Sequence, residues 1–393
     1  MSHIYFDFAA ATPLDPRVKK AMDPYWSTVF GNPGSLHWFG QQASQGVFDA
    51  RRRIARMLGC APEEIIFTGS ATEANNLAIR GVIKHFRSTT KHPKIIISTI
   101  EHSSVEDTCK DLEREGVVVI RIPVSHEGIV DIKKIAEVID EDTILVSIIA
   151  ASNEIGTIQP IMEISKIIRN FREVESKKKK SNMARSTFNF PLFHTDAVQL
   201  FNYGDCRIET LGVDLLTLSA QKIYGPKGIG LLYRKMGVGI EPLIIGGNRE
   251  YGLRAGTENV PYIIGCARAM EIADAMREKE IVRLRSLQAY FLKTVQKAMP
   301  KAVLNGSLRD RLPNNINLFM PGKSAHTVIT DCDIKGFAIA ASSACMARTA
   351  QLSRIVQALG YGDARAKESI RITFGRTTTK KDIDKLINVL KNI

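Results

Sequence analysis

Nothing in this chain runs apolar for the roughly 20 residues that a membrane-spanning helix needs. The best candidate, Ile144 to Ala151, contains Ser147 and stops at Ser152 and Asn153. The opening M-S-H-I-Y-F-D-F has no basic region and carries Asp7 within its first apolar stretch, against a secretory signal. A cytoplasmic protein without membrane contact is expected. Cysteine is sparse as well: Cys60, Cys109, Cys206, Cys266, Cys332 and Cys345 are scattered, with no C-x-x-C and no paired Cys/His spacing. Neither a disulfide framework nor a zinc site is indicated, and no metal is expected.

What is present suits a large soluble protein. The chain has 393 residues, 44% of them hydrophobic, enough for two domains or one large one. Basic residues outnumber acidic ones 54 to 41, for a net charge of +13. Such an excess favours anionic ligands or nucleic acid without specifying either. Part of it sits in R-E-V-E-S-K-K-K-K-S-N-M-A-R, residues 172–185, between a helical pattern from Ile161 to Phe171 and an apolar strand pattern. No aromatic residue is interleaved there to stack on bases, so the stretch reads as a solvated loop, with an RNA-binding or partner-binding finger as the alternative.

From residue 62 to 235, short β-branched runs alternate with amphipathic stretches: E-I-I-F-T, K-I-I-I-S-T, V-V-V-I-R-I, I-L-V-S-I-I-A, P-L-F-H-T-D, L-L-T-L-S and I-G-L-L-Y-R. This is the α/β pattern of a mostly parallel sheet flanked by helices, whose ligands sit at the carboxyl ends of the strands. After R-A-G-T-E a long helix is expected, with Leu284, Leu287, Phe291 and Val295 on one face before Pro300. Strands N-N-I-N-L-F and S-I-R-I-T-F and a final helix complete a smaller α+β domain. The division is drawn as 16–258 for the large domain, with 1–15 and 259–393 for the small one.

Polar residues gather at the predicted strand ends. In F-T-G-S-A-T-E-A, Ser70 and Glu73 have capping-box spacing, and free amides at such a helix start can hold a phosphate. His102 and Asn153 follow the next strands, Asp196 ends L-F-H-T-D, and Ser219, Gln221 and Lys222 end L-L-T-L-S-A-Q-K. Each has a structural alternative: a cap, a satisfied histidine, a turn asparagine, a salt bridge between Asp196 and Lys222. Together they match what an aromatic aldehyde cofactor needs: a lysine for its aldehyde, a carboxylate beside its pyridinium nitrogen, and a phosphate cradle. Lys227, between Pro226 and Gly228, is the rival lysine but suits the surface of a turn.

With these residues in view, the chain resembles the cysteine desulfurases, pyridoxal-phosphate enzymes of the class V aminotransferase family with the fold type I architecture. The likeness runs nearly the whole length, through Y-F-D-F-A-A-A-T-P-L-D-P, G-N-P-G-S, F-T-G-S-A-T-E-A-N-N-L-A, E-H-S-S-V, S-N-E-I-G, H-T-D-A-V-Q, S-A-Q-K-I-Y-G-P-K-G-I-G, R-A-G-T-E and S-S-A-C. The resemblance implies that Lys222 binds the aldehyde of pyridoxal 5'-phosphate, Asp196 pairs with its ring nitrogen and His102 stacks on the ring. Asn153 and Gln199 would contact the ring hydroxyl region. Ala71, Thr72, Ser219 and Gln221 would hold the phosphate, joined by Thr257 from the second subunit of a homodimer. Arg371 would receive the substrate carboxylate, with Asn32 also at the substrate.

The resemblance also gives Cys345 a role, as the thiolate that takes sulfur from L-cysteine, leaving a persulfide and releasing L-alanine. Ala340 to Ala344 would form a flexible arm. The sulfur would pass to an acceptor protein, an iron–sulfur scaffold or a tRNA-thiolation enzyme. A selenocysteine lyase or class V aminotransferase is the enzymatic alternative, and a basic RNA-binding protein on a non-catalytic scaffold is the alternative of another class. Direct nucleic-acid binding is not expected of the desulfurase. Two departures stand out: Gln221 where the family usually has histidine, and the long lysine-rich stretch.

Overall fold

The computed structural model describes residues 3–179, 190–341 and 352–393. A seven-stranded sheet forms its centre: β1 (Ile65–Thr68), β2 (Lys94–Ser98), β3 (Val118–Ile122), β4 (Thr143–Ser147), β5 (Leu192–Asp196), β6 (Leu215–Ser219) and β7 (Gly230–Arg234). Their spatial order is β1-β7-β6-β5-β4-β2-β3, and only β7 runs against the others.

Both faces of this sheet are covered, which is why its strands are continuous apolar runs. Alternate residues feed two cores. Phe67, Ile96, Val146, Phe193 and Leu216 enter one, and Ile66, Ile95, Leu145, Leu192 and Leu215 the other. The polar residues come last: Thr68, Ser98, Ser147, Asp196 and Ser219 close β1, β2, β4, β5 and β6. With β5 fourth of seven strands, Asp196 sits at the middle of that carboxyl edge.

Two helices bring side chains to the same edge. Helix α1 (Ala71–Phe86) starts at Ser70, whose hydroxyl accepts from the Glu73 N–H at 3.1 Å. The expected reciprocal half of a capping box is replaced: the Glu73 carboxylate accepts from the Gly69 N–H at 2.8 Å and from Arg254 at 2.9 Å. Arg254 draws the carboxylate one residue outward. Helix α2 (Ser103–Arg114) starts at His102.

Helix α3 (Ile161–Lys179) corrects the reading of the charged stretch. Residues 172–179 continue the helix instead of forming a loop, because Lys, Arg and Glu are good helix formers. Arg172 holds that turn against the sheet by donating to the Pro191 carbonyl at 2.8 Å and pairing with Asp214. Lys180 and the rest of the stretch, through 185, lie outside the described residues.

The 39-residue helix α4 (Val260–Ala298) joins the two cores. Ile263, Ala267, Met270 and Ala273 pack with the large sheet. Leu284, Leu287, Phe291 and Val295 pack with Ile316, Leu318, Ile370 and Ile372 of the smaller sheet. A boundary at 258/259 therefore falls just before a helix that both cores share. The smaller sheet pairs Asn315–Phe319 with Ser369–Thr373 antiparallel, and Ala340–Ala341 flanks the latter. Ile4–Tyr5 pairs with Phe337–Ala338, and Phe6 packs into the smaller core. Among the described residues, no helix is long and apolar enough to cross a membrane.

Candidate active site

A cavity of about 600 Å³ opens at the carboxyl edge of the sheet, within the usual range for small-molecule sites. Ala71, Thr72, His102, Asn153, Asp196, Gln199, Ser219, Gln221, Lys222 and Arg371 all line it. Asn32 and Thr257 do not; both are exposed, on neighbouring loops linked through Arg249, which reaches Asn32 at 3.3 Å and Glu258 at 3.4 Å. Lys227 is exposed in its turn, away from the cavity.

Asp196 is buried at the end of β5, where its carboxylate accepts from Asn75 Nδ2 at 2.8 Å and from the Val198 N–H at 3.1 Å. Lys222 ends a short turn after β6, and its Nζ donates to the Ala10 carbonyl at 2.5 Å. The N-terminal segment closes this side: Gln199 Nε2 donates to the Ala9 carbonyl at 3.0 Å, and Thr12 donates to the Gln221 carbonyl at 2.9 Å. Hence F-A-A-A-T, far away in sequence, forms one wall.

The phosphate-sized corner lies at the start of α1. The Ala71 and Thr72 amides belong to the first turn, where a helix leaves its N–H groups unpaired and its dipole attracts anions. Gly230 opens β7 directly beneath: a Cβ there would stand 2.5 Å from the Ser70 carbonyl carbon and 2.6 Å from the Ala71 nitrogen. Only glycine lets the strand approach the helix start so closely.

Arg371 is buried on the small-domain strand, donating to the Asn153 carbonyl at 3.1 Å and pairing with Asp7 at 2.7 Å. Glu101 is fully buried, its Oε1 accepting from the Ser98 hydroxyl at 2.5 Å and the Ile149 N–H at 2.9 Å. Burial pushes its carboxyl up to about 8. Burial also lowers the His102 imidazole below its ordinary range.

Sequence reasoning missed Asn75, Glu101, Ser104, Glu154 and Arg354. Arg354 lines the cavity and donates to the Thr99 and Glu101 carbonyls at 2.5 and 2.6 Å. An asparagine inside a helix disfavours the helix intrinsically, and that alone could have flagged Asn75.

Cys345 lies in 342–351, outside the described residues; just after that segment, Arg354 and Ile355 line the cavity. Ala340 pairs with Arg371 in the small sheet, so the expected flexible arm begins with two residues held in a strand. On the far side, Ser353 caps the helix α5 (Arg354–Ala358) and donates to Glu154 at 2.6 Å. Five other cysteines fall within the described residues. Burial raises every one of their thiols, Cys60, Cys206, Cys266 and Cys332 to about 12.

The donor set fits pyridoxal phosphate. A carboxylate, an amine and a helix start face one cavity, and the buried Asn153 Oδ1 has no donor among the described residues, as an acceptor awaiting a hydroxyl would. The family model described as aminotransferase class-V matches residues 4–175 and 180–386. A cysteine desulfurase IscS from Dictyoglomus turgidum is 41% identical over 390 residues, covering 99% of this chain and 94% of that one. A solved NifS-like protein superposes with a TM-score of 0.88 at 33% identity, covering 99% of this chain and 98% of that one. A second, the NifS-like protein from Rickettsia africae, gives 0.84 at 30% identity and 99% coverage of both chains.

Proposed function

We propose that this chain, which belongs to the class V aminotransferase family and within it to the cysteine desulfurases, converts L-cysteine to L-alanine and takes the sulfur on Cys345. The observation that carries this reading is the convergence of Lys222, Asp196, the start of α1 and Arg371 on one cavity.

Pyridoxal phosphate, when bound, supplies an electron-withdrawing ring that weakens the bonds at the substrate's α and β carbons. Lys222 would hold its aldehyde, Asp196 its ring nitrogen, Asn153 and Gln199 its hydroxyl region. Ala71, Thr72, Ser219 and Gln221 would hold its phosphate. Arg371 would fix the substrate carboxylate with a planar two-point fork. The Lys222 amine would also hold and move the proton at the substrate's α carbon. The Cys345 thiolate then attacks the substrate sulfur: the carbon–sulfur bond breaks, a sulfur–sulfur bond forms, and the carbon takes a proton to become alanine's methyl group. The pairing of Ala340 with Arg371 and of Ser353 with Glu154, two residues that line the cavity, supports this role for Cys345.

A homodimer goes with this reading. Trp26, Phe30, Leu36, Trp38 and Ile245 are large apolar side chains, 55 to 90% exposed in the single chain. Packing these side chains against a second copy would cover them and carry Thr257 towards the other subunit's phosphate. The persulfide would pass to an acceptor protein, an iron–sulfur scaffold or a tRNA-thiolation enzyme, in the cytoplasm.

Borohydride reduction followed by peptide mapping tests the site: the cofactor should be fixed on the Lys222 peptide, and Lys222→Ala should lose both the adduct and alanine formation. An adduct on Lys227 would overturn the assignment.

A further inference from the structure

His102 both faces the cavity and caps a helix. Its Nδ1 accepts from the Ser104 backbone N–H at 3.1 Å, as the N-cap of α2. A backbone N–H can only donate, so Nδ1 must be bare and the single proton of the neutral ring must sit on Nε2. The Ser104 hydroxyl lies 2.8 Å from the same nitrogen. That hydroxyl accepts from Asn75 Nδ2 at 2.8 Å, which directs its own hydrogen to Nδ1. The other N–H of Asn75 goes to Asp196 at 2.8 Å. Donation therefore runs outward from one fully buried amide, to the carboxylate in one direction and to the imidazole in the other.

We propose that His102 serves the reaction as a neutral ring with its proton fixed on Nε2, stacking and donating a hydrogen bond while taking up no proton. Ser104 and Asn75 are the positioning residues that impose this state. The proposal rests on the reading of the cavity as the cofactor site, and it leaves the moving proton to Lys222. Protonating Nδ1 would forfeit the bond from the Ser104 N–H, which is the helix cap, and force the Ser104 hydroxyl to turn from donor to acceptor. Burial is the largest influence against an imidazolium; the surrounding charges are divided, Asp196 favouring one, Lys222 and Arg354 opposing it, and Asp107 favouring it. Glu101, next in sequence, is mostly protonated at neutral pH because burial pushes its carboxyl up to about 8.

The test is nitrogen NMR of histidine-labelled holoenzyme, with alanine formation measured on the same samples. His102→Asn assigns the signal, since asparagine keeps an acceptor for the cap. The expected result is one bare nitrogen, Nδ1, and one protonated nitrogen, Nε2, unchanged between pH 8 and pH 6. Ser104→Ala removes the hydroxyl but keeps the N–H, so the tautomer should persist while the ring begins to titrate roughly half a unit higher. A proton on Nδ1, or titration near the ordinary histidine value, overturns the proposal. An unshifted titration in Ser104→Ala removes Ser104 from it. Absence of alanine with the tautomer intact would instead count against the desulfurase reading.

Discussion

The Arg371 guanidinium is held at 2.7 Å by Asp7, a residue 364 positions away in sequence, while its other terminal nitrogen donates to the Asn153 carbonyl at 3.1 Å. The fork is thus oriented before any substrate arrives. Lysine at 371 would keep the charge and lose the planar geometry. Arg371→Lys should therefore raise KM for L-cysteine by about 10- to 100-fold, in line with the roughly 1.5–3 kcal/mol of a charged hydrogen bond, and change kcat far less. Steady-state kinetics check this; an unchanged KM would place the carboxylate elsewhere.

Gly230 supports the phosphate corner by its lack of a side chain. Gly230→Ala puts a methyl group 2.5 Å from backbone of the α1 start, which must shift to make room. Affinity for pyridoxal phosphate should fall by about 10-fold or more, from the roughly 1–3 kcal/mol of overpacking. Fluorescence titration of the apoenzyme measures it.

Glu101 makes stability depend on pH. Its carboxyl is raised from 4.5 to about 8 in the folded protein, so the folded state holds a proton that the unfolded chain releases. Its contribution is fully present below pH 4.5 and is lost as pH rises to about 8. Glu101→Gln keeps a neutral side chain of the same shape. Relative to the parent protein it should gain on the order of 3 kcal/mol at pH 8 and little near pH 4.5, read from denaturant midpoints at the two pH values.

Gln221 lines the cavity beside Ser219 but carries no charge. Gln221→His should tighten pyridoxal phosphate about 5-fold at pH 6, where an imidazolium can form a charged hydrogen bond, with the gain fading by pH 8. Equal affinity at both pH values would show that residue 221 does not touch the phosphate.

Much of this architecture is legible in the sequence for a physical reason. Parallel strands buried on both faces leave continuous apolar runs, and the polar residue that ends each run, such as Asp196 or Ser219, sits where the ligand must be. The legible part ends where burial comes from distant packing. Asn75 reads as one more polar residue of an amphipathic helix until α2 lies over it. Asp7 and Arg354 act through partners hundreds of residues away. The lysine-rich stretch misled through composition: charge suggests solvent, and a solvated helix satisfies that as well as a loop does.

The central claim is that sulfur leaves L-cysteine for one particular thiol. Mass spectrometry of the holoenzyme after incubation with L-cysteine should find one additional sulfur on the peptide containing Cys345, together with alanine in solution, and Cys345→Ser should keep the cofactor's yellow colour without the adduct. Sulfur transfer that proceeds undiminished in Cys345→Ser, or an adduct on another cysteine, would contradict the account.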